Sequence, residues 1–156
     1  MHQFRRQLLK ALGAAVPLAL TAGAGLLRAG QALAAAWNKT GFEAKAAADA
    51  LKSIGATGTQ PSKDIVLNAP DIAENGAQVP VATTSKIPNT QSISIIVDKN
   101  PFPLNSTYEF ANGAESYVST KLKMGQTSNV MAVVKADGKF FTAVKEVKVT
   151  IGGCGG

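Results

Sequence analysis

From residue 65 onward the chain is a succession of short apolar runs cut by turn residues, and that pattern restricts what it can fold into. The runs at residues 65–69, 78–84, 92–97, 107–110, 117–124, 129–135 and 140–151 are separated by clusters such as Glu74-Asn75-Gly76 and Asn100-Pro101-Phe102-Pro103. Short runs bounded by Gly, Pro, Asn and Asp read as strands. Two of them alternate cleanly: Ile93, Ile95 and Val97 share one face, while Val118, Leu122 and Met124 oppose Lys121 and Lys123. Asp137-Gly138 between the last two runs signals a type I′ hairpin. About seven short strands at this spacing predict a mainly β fold, an immunoglobulin-like antiparallel β-sandwich. The Cys…Trp…Cys signature of antibody domains is absent, because the chain has one cysteine and one tryptophan.

Ahead of the strands, Thr40-Gly41-Phe42-Glu43 resembles a capping box, with Thr40 as N-cap and Glu43 reaching back. Phe42, Ala46, Ala50, Leu51 and Ile54 follow at helical spacing and Gly55 is a natural C-terminal stop. The pattern predicts one N-terminal amphipathic helix of about 13 residues, with Trp37 anchoring its start. Residues 56–63, rich in Gly, Thr, Pro and Ser, read as a linker.

The first 36 residues read differently. Arg5-Arg6-Gln7-Leu8-Leu9-Lys10 matches a twin-arginine export box, although Phe4 stands where Ser or Thr is usual. A weakly apolar stretch from Ala11 to Leu27 follows, and Ala32-Leu33-Ala34 or Ala34-Ala35-Ala36 offers a cleavage site. Pro17 and the glycines make this stretch a poor membrane anchor, which needs about 20 predominantly apolar residues. The expected organisation is a removed signal peptide over 1–36, a helix plus sandwich over 37–151 and a flexible arm over 152–156. Arg5, Arg6, Lys10 and Arg28 would leave with the signal, lowering the formal charge from +6 to +2. No nucleic-acid footprint remains, and no membrane attachment is expected after processing. The single histidine, His2, would also go, and with it the commonest general base and metal ligand.

Little other chemistry is visible. The acids Asp64, Asp71, Glu74, Asp98, Glu109, Glu115, Asp137 and Glu146 stand singly. Asp71 with Glu74 and Asn75 could cradle calcium but reads better as a solvated turn. Lys121 with Lys123, and Lys145 with Lys148, could attract an anion but read better as wet strand faces. The polar stretch 124–129 is either a hairpin loop or a contact surface. Phosphate loops, nucleophile elbows and zinc spacings are missing, so no cofactor and no metal are expected.

The tail Ile151-Gly152-Gly153-Cys154-Gly155-Gly156 is what remains. A buried cysteine would not be set among glycines, and an intrachain disulfide needs a second cysteine. In an exported protein an odd cysteine implies a reactive thiol or an intermolecular bond. Glycine is costly to order, so Gly152, Gly153, Gly155 and Gly156 predict a flexible arm. Three residues beyond Ile151 give a reach of roughly 10 Å, thin enough to enter a narrow pocket on another protein. No Lys, Arg or helix start adjoins the thiol, and an unassisted cysteine ionises near pH ~8.5. Cys154 therefore reads as accessible but not self-activated, the behaviour of a carrier whose partner enzymes supply the chemistry.

These residues resemble the SoxY family of thiosulfate-oxidation carriers. The resemblance rests on the terminal Gly152-Gly153-Cys154-Gly155-Gly156 after a sandwich and a twin-arginine signal. It extends to the turn Ala69-Pro70-Asp71-Ile72-Ala73-Glu74-Asn75-Gly76 and to residues 124–129. It implies a non-catalytic subunit of a periplasmic multi-enzyme system, with Cys154 as the covalent attachment site. A c-type haem enzyme would load thiosulfate, a manganese hydrolase would release sulfate, and a sulfur dehydrogenase would oxidise the remaining sulfane. A SoxZ-like subunit would pair with the chain as a heterodimer or a dimer of heterodimers. The competing reading from the residues alone is an exported structural sandwich that uses Cys154 for an intermolecular disulfide. A carboxylate-activated carrier ending in Gly155-Gly156 would need ATP, which an exported protein does not meet.

Overall fold

Five consecutive residues of one strand, Ile93 to Val97, are buried, so both faces of the sheet that contains them are covered. The protein was obtained as a computed structural model, and the structure describes residues 37–111 and 113–150. Two helices, α1 (Lys39–Glu43) and α2 (Ala47–Ser53), precede nine strands. These are β1 (Thr59–Pro61), β2 (Ile65–Asn68), β3 (Ile72–Ala73), β4 (Val79–Ser85), β5 (Thr90–Val97), β6 (Leu104–Glu109), β7 (Tyr117–Leu122), β8 (Ser128–Ala136) and β9 (Lys139–Val149). The larger sheet runs β1-β9-β8-β5-β6 with β3 added to β9, and the smaller runs β2-β4-β7. The mainly β, two-sheet expectation holds.

Between the sheets, Val79, Val81, Val118 and Leu122 meet Ile93, Ile95, Val97, Val130, Ala132, Val134 and Val147 in one cluster. Each valine, leucine or isoleucine among them contributes on the order of 1.5–3 kcal/mol through burial. The opposite face of the larger sheet presents Ile96, Leu104 and Val133, and the helices cover them with Ala50, Phe42 and Leu51. The face of β7 read from the sequence is as expected: Val118, Leu122 and Met124 are buried while Lys121 and Lys123 are exposed. The β8–β9 hairpin turns through Asp137 and Gly138 with φ of 48° and 72°, the double positive φ of a type I′ turn.

The single 13-residue helix is not what forms. Ala44 leaves helical geometry at ψ 140°, splitting the segment into α1 and α2. Asn38, rather than Thr40, caps α1, accepting from the Gly41 N–H at 3.0 Å. Its amide also donates to the Ser53 carbonyl at 3.1 Å, so one side chain ties the start of α1 to the end of α2. Local spacing could not reveal the break, because a contact fifteen residues away sets it. The expected stop is found: Gly55 at φ 81° donates to Lys52 and Ala56 to Leu51, a Schellman ending.

The sandwich is also not wholly antiparallel. β1 lies in the expected linker and pairs parallel with Phe140–Thr142 of β9, while β3 pairs parallel with Lys148 and Val149. Neither announces itself as a strand: β1 is three residues, Thr59-Gln60-Pro61, and β3 is only two, Ile72 and Ala73. They cover the start and end of one edge of β9, an edge otherwise open to pairing with another chain.

At one end of the sandwich the Asp98 carboxylate receives the Ser128 hydroxyl, and the Asn129 N–H and side-chain amide each at 2.9 Å. Burial works against its charge, but these three donors, with Lys99 nearby, outweigh it and hold its pKa below the usual carboxylate value. A depressed pKa stabilises the fold fully above the unfolded value of about 3.9 and ceases to do so as pH falls through the folded value. In Asp98→Asn an NH₂ group confronts donors. Urea titration at pH 7 is expected to show a loss of roughly 1–2 kcal/mol, shrinking on acidification below about pH 4. Thr83 gives the opposite case, being fully buried with its Oγ1 lacking a hydrogen-bond partner. Thr83→Val is expected to raise stability by about 1 kcal/mol, read as a melting temperature a few degrees higher.

Candidate functional site

Cys154, Gly152, Gly153, Gly155 and Gly156 lie outside the described residues, as does the 1–36 segment. The structure does describe the ground from which the terminal segment leaves: the end of β9 and the residue after it, Thr150. Every other backbone N–H of a strand points to the same edge, and here both edges are occupied. Toward β3, Lys148 N–H donates to the Asp71 carbonyl at 3.0 Å and Thr150 N–H to the Ala73 carbonyl at 3.2 Å. Toward β8, Val149 N–H donates to Thr127 Oγ1 at 3.0 Å. The strand end is therefore held from two sides by the turn at 69–76 and the stretch at 124–129. These are far apart in sequence and were singled out separately above; the fold places them together.

Gly76 makes that meeting possible. Its carbonyl accepts the Met124 N–H at 2.7 Å, and a Cβ at Gly76 would run into the Met124 carbonyl oxygen and lie 2.9 Å from Val149 Cγ1. The 124–129 stretch is not a hairpin loop, because β7 belongs to the smaller sheet and β8 to the larger one. It is a crossover between the sheets, and its polar groups are largely spent inside the fold. Gln126 donates to the Lys99 carbonyl at 3.2 Å, Thr127 accepts from β9, and Ser128 and Asn129 serve Asp98. The ionised Asp98 thus pins one end of the same crossover that Gly76 and Thr127 hold against β9.

The calcium reading of Asp71, Glu74 and Asn75 has no support. Asp71 faces Lys145 Nζ at 3.0 Å, and Asn75 Oδ1 accepts the N–H of Ala77 at 2.9 Å within its own turn. Among the described residues no group of three or more His, Cys, Asp or Glu is placed to hold a metal. Lys145 and Lys148 do not form one cationic surface. An odd spacing puts them on opposite faces of β9: Lys145 lies on the core face between Ala143 and Val147. Its stem is covered and its ammonium reaches the edge, where it also donates to the Ala69 carbonyl. Lys121 hydrogen-bonds Gln78 at 3.2 Å.

Among the described residues, one surface depression lies beside Asn68, Pro70, Pro80 and Ser119 and another beside Asn89, Gln91, Phe110 and Ser116. Neither is lined by an ionisable side chain, so neither offers an acid, a base or a charged nucleophile. Among the described residues no helix is long and apolar enough to cross a membrane. The sequence marks the stretches that hold Thr127 and Gly76 but not what these two residues meet, since a threonine in a polar loop and a glycine in a turn carry no sign of the strand beside them.

Comparison with known proteins adds to this geometry. A search of curated proteins returned no match. The SoxY carrier protein of Chlorobium limicola f thiosulfatophilum is 39% identical, with a TM-score of 0.61, covering 66% of this chain and 94% of its own. A superoxide reductase (neelaredoxin) from Ignicoccus hospitalis is 20% identical with a TM-score of 0.50, covering 55% of this chain and 80% of its own. At that identity the second likeness shows the shared sandwich fold alone. The family model described as sulfur oxidation protein SoxY matches residues 51–154, from α2 through both anchoring segments to the cysteine, and the chain belongs to the SoxY family.

Proposed function

We propose that this protein is a covalent carrier of sulfur intermediates in thiosulfate oxidation, with the cargo attached to Cys154. The observation that carries the reading is that the SoxY match ends at residue 154, the chain's single cysteine. That residue stands four positions beyond Thr150, the last described residue and one with its backbone anchored. The chain carries rather than catalyses. Membership of the SoxY family supports that reading, and the thiol has no neighbour in sequence that would activate it.

The chemistry asked of Cys154 can be written in balance. Its thiol and the sulfane sulfur of thiosulfate join in a new S–S bond, releasing one proton and two electrons. The electrons require an acceptor, which a c-type haem enzyme would supply. Water then cleaves the bond between sulfane and sulfonate, releasing sulfate and leaving a persulfide on the cysteine. A manganese hydrolase suits that step, and a sulfur dehydrogenase suits oxidation of the remaining sulfane. Membership of the family implies pairing with a SoxZ-type subunit and a periplasmic setting. The twin-arginine signal over 1–36 would serve that export, and because this route moves folded proteins one signal could carry both subunits. The Gly152, Gly153, Gly155 and Gly156 backbone would let the thiol enter enzyme pockets that a side-chain-bearing strand could not.

Intact mass of the protein purified without reductant provides the first test. Thiol-reversible sulfur adducts mapped to Cys154 on a monomeric chain are expected, whereas a quantitative inert disulfide dimer would overturn the reading. Cys154→Ser is expected to abolish thiosulfate oxidation in a reconstituted system while leaving the melting temperature unchanged. Replacing Gly152 and Gly153 together by leucine should impair loading or hydrolysis at equal stability, measured as turnover with each partner enzyme.

A further inference from the structure

We infer that Thr127 is a positioning residue for the carrier arm, its hydroxyl holding Val149 to the crossover and so completing, with β3, the two-sided anchorage of the strand end that precedes the arm. The inference rests on the carrier reading and concerns how that carrier controls its reach. The β8–β9 ladder ends at the pair Ser128↔Val147. Past that pair the backbone of the crossover turns toward Gly76, whose carbonyl takes the Met124 N–H. The next N–H of β9 on that side, Val149, would lose its partner; the Thr127 side chain supplies one at 3.0 Å. On the opposite side β3 holds Lys148 and Thr150. Three successive residues, Lys148 to Thr150, are thus tied alternately left and right.

The consequence is a tether of set length. From Thr150 to Cys154 the chain can span at most about 13–14 Å, whereas a strand end released from both edges could span about 23–25 Å from Val147, and without the Val149 bond only β3 opposes that release. A longer tether dilutes the thiol at any pocket that the docked body presents it to. Strand ends open at little free-energy cost, so one side-chain hydrogen bond there shifts a sizeable share of the population. Asp98 supports the arrangement from the other end of the crossover through Ser128 and Asn129.

The test compares Thr127→Val, nearly the same shape without the hydroxyl, with Thr127→Ser, which keeps it. In the full-length protein paired with its SoxZ-type subunit, amide exchange at Val149 is expected to quicken roughly three- to tenfold in Thr127→Val. Exchange in the β5 and β8 core should stay unchanged. A nitroxide attached to Cys154 should report a wider range of motion in the same variant. In reconstituted thiosulfate oxidation, KM for the carrier should rise about twofold with kcat unaltered. Thr127→Ser should restore all three. Unchanged exchange at Val149 would overturn the anchoring role, and faster exchange with unaltered KM would overturn its bearing on reach. Wild-type protein that never acquires a sulfur adduct would instead sink the carrier reading, with the exchange and nitroxide results still deciding whether Thr127 anchors the strand.

Discussion

β9 is hydrogen-bonded along both of its edges near its end, and the rest of the molecule is arranged so that this can happen. One edge pairs with β8 from Lys139 to Val147. The other is met by β1 at its start and β3 at its finish, with the Lys145 ammonium bridging to Asp71 and the Ala69 carbonyl between them. A strand held on one edge only would fray from its tip. Here the tip is tied through Thr150, so whatever follows departs from a defined place.

The layers behind β9 supply the rigidity. β5 and β8 are buried on both faces, by the smaller sheet on one side and by the two helices on the other. The helices can lie flat on Ile96, Leu104 and Val133 because Asn38 folds α1 back on α2. Opposite them the 124–129 crossover joins the sheets at the end where β9 finishes, stapled below by Asp98 and above by Gly76 and Thr127. The proposed carrier role would draw on such a base, because a tethered thiol gains from a well-defined origin.

Much of this was legible in the residues. The seven main strands, the buried faces of β5 and β7, the Asp137-Gly138 turn and the Gly55 helix stop follow from alternation and turn chemistry. Both act within a few residues, which is why a single sequence displays them. The segments that escaped notice, β1 and β3, have two or three residues each and no apolar alternation. They are strands because β9 offers an open edge to them. The helix break at Ala44 and the capping by Asn38 were hidden for the same reason, as they answer to Ser53 and Leu104 rather than to their neighbours.

The candidate site divides along the same line. That Cys154 is the single cysteine and stands among glycines is a matter of composition and position, so the sequence by itself determined where the chain can offer a thiol. The meeting of the 69–76 turn with the 124–129 crossover around the end of β9 joins segments about fifty residues apart. No local pattern encodes that proximity; it arises because the larger sheet places β9 between β8 and β3 and the crossover must pass Gly76 to reach β8. Tertiary structure alone decided how the end of β9 is anchored, because that depends on which hydrogen-bond partners remain for the last amides of a strand once the sheet has closed around it.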